Sequence, residues 1–323
     1  MTDFTIPSFR IGVDGGGTKT EFILVDAVGA IVNTHVAPGC NPSQVGAEKA
    51  REILLSGLHA LCSPLPACSV RSTMLFMAGS PAFWRELASS LTDYGVVTAG
   101  PDSLPVLELA TGGSAGLVLH AGTGSFVAAR DAGGAVHYAG GLGWKLGDAG
   151  SGFDIGRRAI AAALLELQAL QPWRRSDLAA ESPAAAGSPQ PHKTSPLAEA
   201  LRAHTGLTDY AANSRFFYND AGANAAISAF APRVLELAEQ ECGPAQQVVA
   251  DSVTDLARLA GQVINRLFPA PAAPVPCGVS GRILNSPLAG RVLRESANER
   301  RWPVALNFIT ASPVEGVRRL LVK

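Results

Sequence analysis

A glycine triplet between two apolar runs is the feature that most constrains how this chain can fold. Ile11 to Asp26 reads IGVDGGGTKTEFILVD, which predicts a strand ending on Asp14, a glycine turn and a second strand. Glycines there cost backbone entropy, but they allow bare amides to approach an anion closely. The carboxylate at the strand end suits a hydrated divalent cation. The spacing is not that of a Walker loop, and a glycine hairpin without a ligand is the open alternative.

The same pattern recurs in the second half of the chain. A strand at Leu117–His120, a turn at 122–125 and a strand at Phe126–Ala129 repeat the first hairpin, and third strands follow at 30–36 and 135–138. The first half continues as β-β-β-α-β-α-β-α. This recurrence predicts an α/β protein of two similar domains facing a cleft. Ligands of open α/β sheets bind at the carboxyl ends of the strands, where Asp102 follows the strand at 95–98.

Composition excludes several classes of function. The 323 residues exceed one ordinary core and suggest two domains. A net charge of −1 gives no global attraction to nucleic acid or to anionic membranes. The five cysteines form no C-x-x-C pair and no zinc spacing, and the amino terminus lacks an apolar signal region. We therefore expect a cytoplasmic protein without a nucleic-acid or membrane partner. Residues 172–196, rich in Pro, Ala and Ser, predict a surface excursion.

Five motifs together carry a family resemblance. They are DGGGTKT at 14–20, PD at 101–102, AGTGS at 121–125, GGLGWKLGDAGSG at 140–152 and CGVSGR at 277–282. They resemble those of the sugar kinase, chaperone and actin ATPase superfamily. Within it the chain is similar to the N-acetylglucosamine kinase group, related to the ATPases that activate benzoyl-CoA reductase. The resemblance implies two ribonuclease H-like domains, 1–115 and 116–310, around a nucleotide and sugar cleft, with a last helix at 311–323 that can return to the first domain.

The resemblance also implies the site. ATP and Mg²⁺ are the expected cofactors, and Asp14 would hold the ion through water. Asp102 matches the catalytic aspartate. Phosphate contacts are expected from Gly15, Gly16, Gly17, Thr18, Lys19, Gly122, Thr123, Gly124 and Ser125. Adenosine contacts are expected from Gly278, Ser280 and Gly281, and sugar contacts from Asn41, Gly79, Gly141 and Asp148.

Each of these side chains also has an ordinary structural interpretation. Asp102 precedes a helix and suits an N-cap, Asp148 suits a loop-capping carboxylate, and Asn41 before Pro42 suits an Asx-turn. Lys19 suits a solvated hairpin lysine. The chain also departs from the family pattern: an alanine follows Asp148, and Cys277 replaces the first of the paired glycines in the adenosine motif.

The leading hypothesis is an ATP-dependent kinase that phosphorylates the 6-hydroxyl of an amino sugar, with N-acetylglucosamine as the acceptor. Such transfer needs positioning and charge neutralisation, and a carboxylate base contributes about 10²–10⁴-fold. Glucosamine, N-acetylmuramic acid or another hexose is the alternative acceptor, and a homodimer is the expected assembly. A redox activator ATPase would need cluster cysteines near the second hairpin, and none lies between Cys68 and Cys242. A sugar-sensing regulator would need a helix-turn-helix domain, for which ten residues before Ile11 leave no room.

Overall fold

Two five-stranded sheets with the same strand order form the frame of the protein. The computed structural model describes residues 8–63, 69–170 and 194–323. The first sheet has the order β3-β2-β1-β4-β5. Its strands are β1 (Ser8–Gly15), β2 (Lys19–Val25), β3 (Ile31–Pro38), β4 (Ser69–Met77) and β5 (Val96–Pro101). The first three strands are antiparallel, while β4 and β5 run parallel to β1 and continue the sheet.

The second sheet repeats this arrangement in the order β10-β9-β6-β7-β8. Its strands are β6 (Gly116–Ala121), β7 (Ser125–Arg130), β8 (Val136–Gly140), β9 (Val275–Ser280) and β10 (Val304–Phe308). Each sheet is thus an antiparallel meander to which two later parallel strands are added beside its first strand. The duplicated α/β fold predicted from the recurring hairpins is confirmed.

Helices connect the parallel strands and cover the sheets. The first half contains α1 (Pro42–Val45), α2 (Ala47–Cys62), α3 (Pro81–Ser90) and α4 (Ser103–Thr111). The second half contains α5 (Gly152–Ala169), α6 (Pro196–Thr205), α7 (Tyr210–Asn219), α8 (Ala223–Glu239), α9 (Gly243–Leu267), α10 (Pro287–Glu299) and α11 (Pro313–Leu321). Of the excursion predicted at 172–196, residues up to 193 lie outside the described ranges. Across those ranges, no helix is long and apolar enough to cross a membrane.

Two helices connect the halves of the molecule. Helix α4 packs Val106 and Leu107 against the second sheet, where they meet Phe126. Helix α11 follows the last strand of the second sheet but packs Val317 and Leu321 against the first. A Cβ on Gly12 in β1 would lie only 2.3 Å from a methyl of Val317, so glycine there allows α11 to pack against the strand. The two helices therefore lie between the sheets and contact each other.

Candidate active site

The tips of the two glycine hairpins meet. The hydroxyls of Thr18 and Thr123 lie 2.9 Å apart, although 105 residues separate them in the chain. Both threonines are exposed. The turns predicted to bind phosphate therefore face each other and touch at their tips, as the sequence hypothesis requires.

The first hairpin keeps part of its backbone free for a ligand. The Gly16 amide closes the turn on the Lys19 carbonyl at 3.0 Å, and the Cys40 amide donates to the Gly16 carbonyl at 3.2 Å. Within the described part of the chain, the amides of Gly17 and Thr18 have no hydrogen-bond acceptor. A rigid turn with two open amides at its tip is suited to an anion.

The second hairpin rests on the start of α5. Its turn is closed by the Gly122 amide, which donates to the Gly124 carbonyl at 2.8 Å. The Gly152 and Phe153 amides at the start of α5 donate to the carbonyls of Gly122 at 2.8 Å and Thr123 at 3.3 Å. The amides at the amino terminus of α5 thus bind the carbonyls of the second hairpin. As in the first hairpin, the tip amides (Thr123 and Gly124) have no acceptor in the described ranges.

Two of the residues expected to contact phosphate are engaged elsewhere. The Ser125 hydroxyl is buried and donates to the Ala149 carbonyl at 2.7 Å, so it joins the second hairpin to the loop after β8. The Lys19 ammonium pairs with the Glu21 carboxylate at 2.6 Å, and its side chain remains exposed. This pairing matches the alternative of a solvated hairpin lysine. Of the side chains predicted to contact phosphate, those of Thr18 and Thr123 lie at the cleft itself.

Two carboxylates lie at the carboxyl ends of β1 and β5, the two strands that flank β4. Met77 of β4 pairs with Gly15 on one side and Pro101 on the other, which aligns the positions of Asp14 and Asp102. Burial, followed by repulsion from Asp102 and Glu21, raises the pKa of Asp14 to about 7. Burial also raises the pKa of Asp102 to about 6, although the amides of Asp102 and Ser103 oppose this change. This edge of the first sheet thus carries two half-buried acids whose pKa values are raised.

The Asp102 carboxylate is not an ordinary helix cap. The residue stands at the N-cap position of α4, but its backbone is α-helical, with φ −60° and ψ −14°. Its side chain makes no capping hydrogen bond. An N-cap normally has extended backbone and accepts from the first turn. The geometry therefore leaves this carboxylate available to another partner.

Asn41 and Gly79, two of the expected sugar contacts, lie against each other. The side-chain oxygen of Asn41, Oδ1, accepts a hydrogen bond from the Ser43 amide at 3.0 Å, so the Asx-turn interpretation is correct for that oxygen. A Cβ on Gly79 would lie 2.5 Å from the same oxygen. Gly79 therefore leaves room for the Asn41 amide group.

Asp148 also has a structural partner. The buried carboxylate accepts from the Gly143 amide at 3.0 Å, which matches the loop-capping alternative. Its second oxygen would lie 3.1 Å from a Cβ on Gly124, so it approaches the second hairpin. Burial raises its pKa, the Gly143 hydrogen bond lowers it, and the charge of Asp154 raises it further. The carboxylate thus links the loop after β8 to the hairpin.

Tyr138 is a residue of the cleft that the sequence analysis did not identify. A Cβ on Gly141 would lie 2.3 Å from the Tyr138 hydroxyl, and Gly141 has a φ of +62°. The phenol therefore occupies the space that a side chain at 141 would fill. Burial, then the charges of Asp102 and Asp148, raises the pKa of Tyr138. The sequence signal that could have identified Tyr138 was its position as an aromatic residue shortly before the glycine pair at 140–141.

The adenosine motif spans the end of β9 and the turn after it, beside the second hairpin. The Ser280 hydroxyl lies 3.3 Å from Nδ1 of His120, whose pKa is lowered to about 4 by burial. Gly281 has a φ of +94°, and a Cβ there would lie 2.1 Å from the Ala121 carbonyl oxygen. A Cβ on Gly278 would instead lie 2.5 Å from the Cβ of Ala110 in α4, so close packing of the helix on the strand accounts for that glycine.

The acids at the first hairpin fit a hydrated cation. Burial and then repulsion raise the pKa of Asp14, and no hydrogen bond within the described ranges offsets this rise. Those ranges contain no cluster of three metal-ligating side chains. Mg²⁺ keeps several waters and takes one or two carboxylates together with substrate phosphates. One carboxylate beside two open hairpins is compatible with that mode of binding.

Comparisons with characterised proteins point in the same direction. The chain is 30% identical over 168 residues to the N-acetylmuramic acid/N-acetylglucosamine kinase of Clostridium acetobutylicum, covering 48% of this chain and 53% of the relative. It is 29% identical over 165 residues to the N-acetyl-D-glucosamine kinase of Dictyostelium discoideum, covering 45% of this chain and 51% of the relative. The chain thus spans about half the length of the curated relatives it matches.

Solved structures share the fold over the whole chain. A candidate N-acetylglucosamine kinase from Chromobacterium violaceum superposes with a TM-score of 0.71 at 24% identity, covering 98% of this chain and 99% of its own. A ROK family glucokinase from Streptomyces griseus superposes with a TM-score of 0.55 at 18% identity, covering 97% of this chain and 98% of its own. The model of one sequence family, the BadF/BadG/BcrA/BcrD ATPases, matches residues 11–277. Since this match spans most of the chain, the protein belongs to the BadF/BadG/BcrA/BcrD ATPase family.

Proposed function

We propose that the protein is an ATP-dependent kinase that phosphorylates the 6-hydroxyl of an amino sugar, with N-acetylglucosamine as the favoured acceptor. The observation that carries the proposal is the contact of the two hairpins at Thr18 and Thr123 above an uncapped, desolvated Asp102. Phosphoryl transfer requires this combination of anion-binding amides and a positioned carboxylate. The names of the two curated relatives support the choice of an amino sugar.

Asp102 has the properties of the general base. Its pKa of about 6 leaves the carboxylate ionised at neutral pH, yet it is basic enough to accept a proton from the acceptor hydroxyl. A half-buried carboxylate without a capping role is free to align that hydroxyl with the γ-phosphate. Such a base typically contributes about 10²–10⁴-fold to the rate.

The hairpins bind and orient the phosphates. Their four open amides, on Gly17, Thr18, Thr123 and Gly124, would donate to phosphate oxygens from both sides. Asp14 would hold Mg²⁺ through water, and the ion supplies neutralisation of the developing phosphate charge. Meeting of the hairpin tips excludes water that would otherwise compete with the sugar.

The sugar and adenosine assignments follow the placement of the loops. The first pair of proposed sugar contacts, Asn41 and Gly79, lies in loops at the carboxyl ends of strands in the first sheet. The second pair, Asp148 and Gly141, lies in the loop beside the second hairpin. Ser280 and Gly281 lie beside the second hairpin, where a nucleoside joined to bound phosphates would sit. We include in the proposal the division into domains 1–115 and 116–310, with 311–323 returning to the first.

A coupled assay of ADP release across a panel of sugars tests the proposal. We expect N-acetylglucosamine to give the highest kcat/KM, ahead of glucosamine, N-acetylmuramic acid and glucose. Asp102→Asn should lower kcat by at least about 10²-fold, while calorimetry still detects binding of ATP. Asp93→Asn, at an exposed carboxylate, is the matched control and should retain activity. ATP hydrolysis that no sugar stimulates, or near-normal turnover by Asp102→Asn, would overturn the proposal.

A further inference from the structure

Tyr138 is held in place by a column of aromatic rings. Its ring stacks on Phe126, with centroids 5.3 Å apart and an interplanar angle of 27°. Phe126 stacks in turn on His120 at 5.0 Å and 18°. Phe126 also belongs to the apolar cluster formed with Val106 and Leu107 of α4. The phenol is thus oriented by rings anchored on the helix that begins at Asp102.

The hydroxyl of Tyr138 has no hydrogen-bond partner in the ranges that the structure describes. It lies against Gly141, where a Cβ would approach to 2.3 Å, so the glycine preserves its place. Tyr138 as a whole is about half exposed, at 48%. Its charged neighbours are Asp102 and Asp148, both acids. An oriented donor without an acceptor, beside the predicted sugar contact Gly141, is available to a ligand.

We propose that Tyr138 is a specificity-determining residue of the acceptor site, where its phenol donates a hydrogen bond to an uncharged oxygen of the sugar. This inference rests on the proposed kinase function and extends it to the choice of acceptor. Burial and the two carboxylates keep the phenol protonated, so it acts as a donor throughout the working pH range. The same two carboxylates disfavour an anionic substituent beside the phenol.

The charge around the phenol separates two classes of amino sugar. N-acetylglucosamine is uncharged, whereas N-acetylmuramic acid carries a carboxylate. Two fixed acids near the donor repel that carboxylate, and like charges brought together in a cleft discriminate strongly. The nearby loop does carry an ammonium, Lys145, but its Nζ lies over the Trp144 ring at 5.2 Å. The site therefore selects the uncharged acceptor.

Tyr138→Phe removes the donor and keeps the ring stack. We expect KM for N-acetylglucosamine to rise about three- to tenfold, which corresponds to the loss of one neutral hydrogen bond. The value of kcat should stay within about twofold, and KM for ATP should not change. Calorimetric titration of the sugar in the presence of ADP should show the same loss of affinity. The preference for N-acetylglucosamine over N-acetylmuramic acid should fall by the same factor, because we expect repulsion by the two acids to keep the charged sugar from reaching the phenol.

Tyr218→Phe is the matched control, since Tyr218 is 87% exposed on α7 and its replacement should change no constant. Unchanged sugar affinity and unchanged preference in Tyr138→Phe, with an active wild type, would overturn this inference alone. A rise in KM for both substrates together, with a lowered melting temperature, would show a structural role and also overturn it. A wild type that binds and phosphorylates no sugar would overturn both this inference and the proposed function.

Discussion

Replacing Asp14 by asparagine should stabilise the protein while it removes the proposed cation site. Burial, followed by repulsion from Asp102 and Glu21, raises the pKa of Asp14 from 3.8 to about 7. An acid whose pKa is raised on folding binds its proton more tightly in the native state, so its ionisation destabilises that state. The rise in pKa from 3.8 to about 7, at about 1.4 kcal/mol per pH unit, corresponds to a loss of ~4 kcal/mol in the free energy of unfolding when the group is ionised.

The sign of the effect fixes its pH dependence. The destabilisation is absent below pH 3.8, grows as the pH rises, and is complete above about pH 7. Asparagine has nearly the same shape and no charge. Since the carboxylate keeps some contact with solvent, we expect Asp14→Asn to raise the free energy of unfolding by about 2–4 kcal/mol at pH 8 and by less than about 2 kcal/mol at pH 5.

Urea denaturation at both pH values, in EDTA, measures the difference. Asp93→Asn serves as the control for loss of an exposed carboxylate. Adding Mg²⁺ and ATP should stabilise the wild type more than Asp14→Asn, because the cation favours the ionised carboxylate. A gain that is equal at pH 5 and pH 8, or no gain at pH 8, would refute the reasoning, since neither result is compatible with a buried and repelled charge.

Two further predictions concern the base and the adenosine turn. The value of kcat/KM should fall about tenfold per pH unit below pH 6, because Asp102 must be ionised to accept a proton and its pKa is about 6; a flat profile from pH 5 to 7 contradicts that role. Gly281→Ala places a Cβ 2.1 Å from the Ala121 carbonyl oxygen at a φ of +94°, so unfolding free energy should fall by about 2 kcal/mol or more and KM for ATP should rise. Gly112→Ala, at a φ of +60° with open space around it, isolates the backbone contribution, and equal losses in the two variants would remove the collision as the cause.

Local signals were sufficient to predict the fold of this chain. A glycine turn between two apolar runs of strand length favours a hairpin, and the runs at 11–13 and 22–25 became parts of β1 and β2. The recurrence at 117–129 predicted the second sheet, because the same order of apolar run, glycine turn and apolar run folds into the same hairpin. The position of Asp102 followed for the same reason, since it directly continues a parallel strand of the first sheet.

Other features depended on contacts that sequence does not show. Whether the Ser125 hydroxyl points to the cleft or to the Ala149 carbonyl is decided by a loop 24 residues later. Tyr138 lies on the outermost strand of its sheet, where an aromatic residue has no periodic signal, and its role depends on Gly141. Helices α6 and α7 were not predicted, although Ser195 and Asp209 cap them and provided a local signal.

The crossing of α4 and α11 restricts how the cleft can open. A Cβ on Gly316 would lie 2.0 Å from the Pro105 carbonyl oxygen, so the two backbones touch. We expect two adjacent connections to resist sliding and twisting of one sheet against the other and to leave rotation about their common line of contact. Opening by such a rotation would separate Thr18 from Thr123, and closing would return the same two hydroxyls to each other. Each cycle of the proposed kinase would thus begin from one alignment, set by α11 and by the helix that follows Asp102.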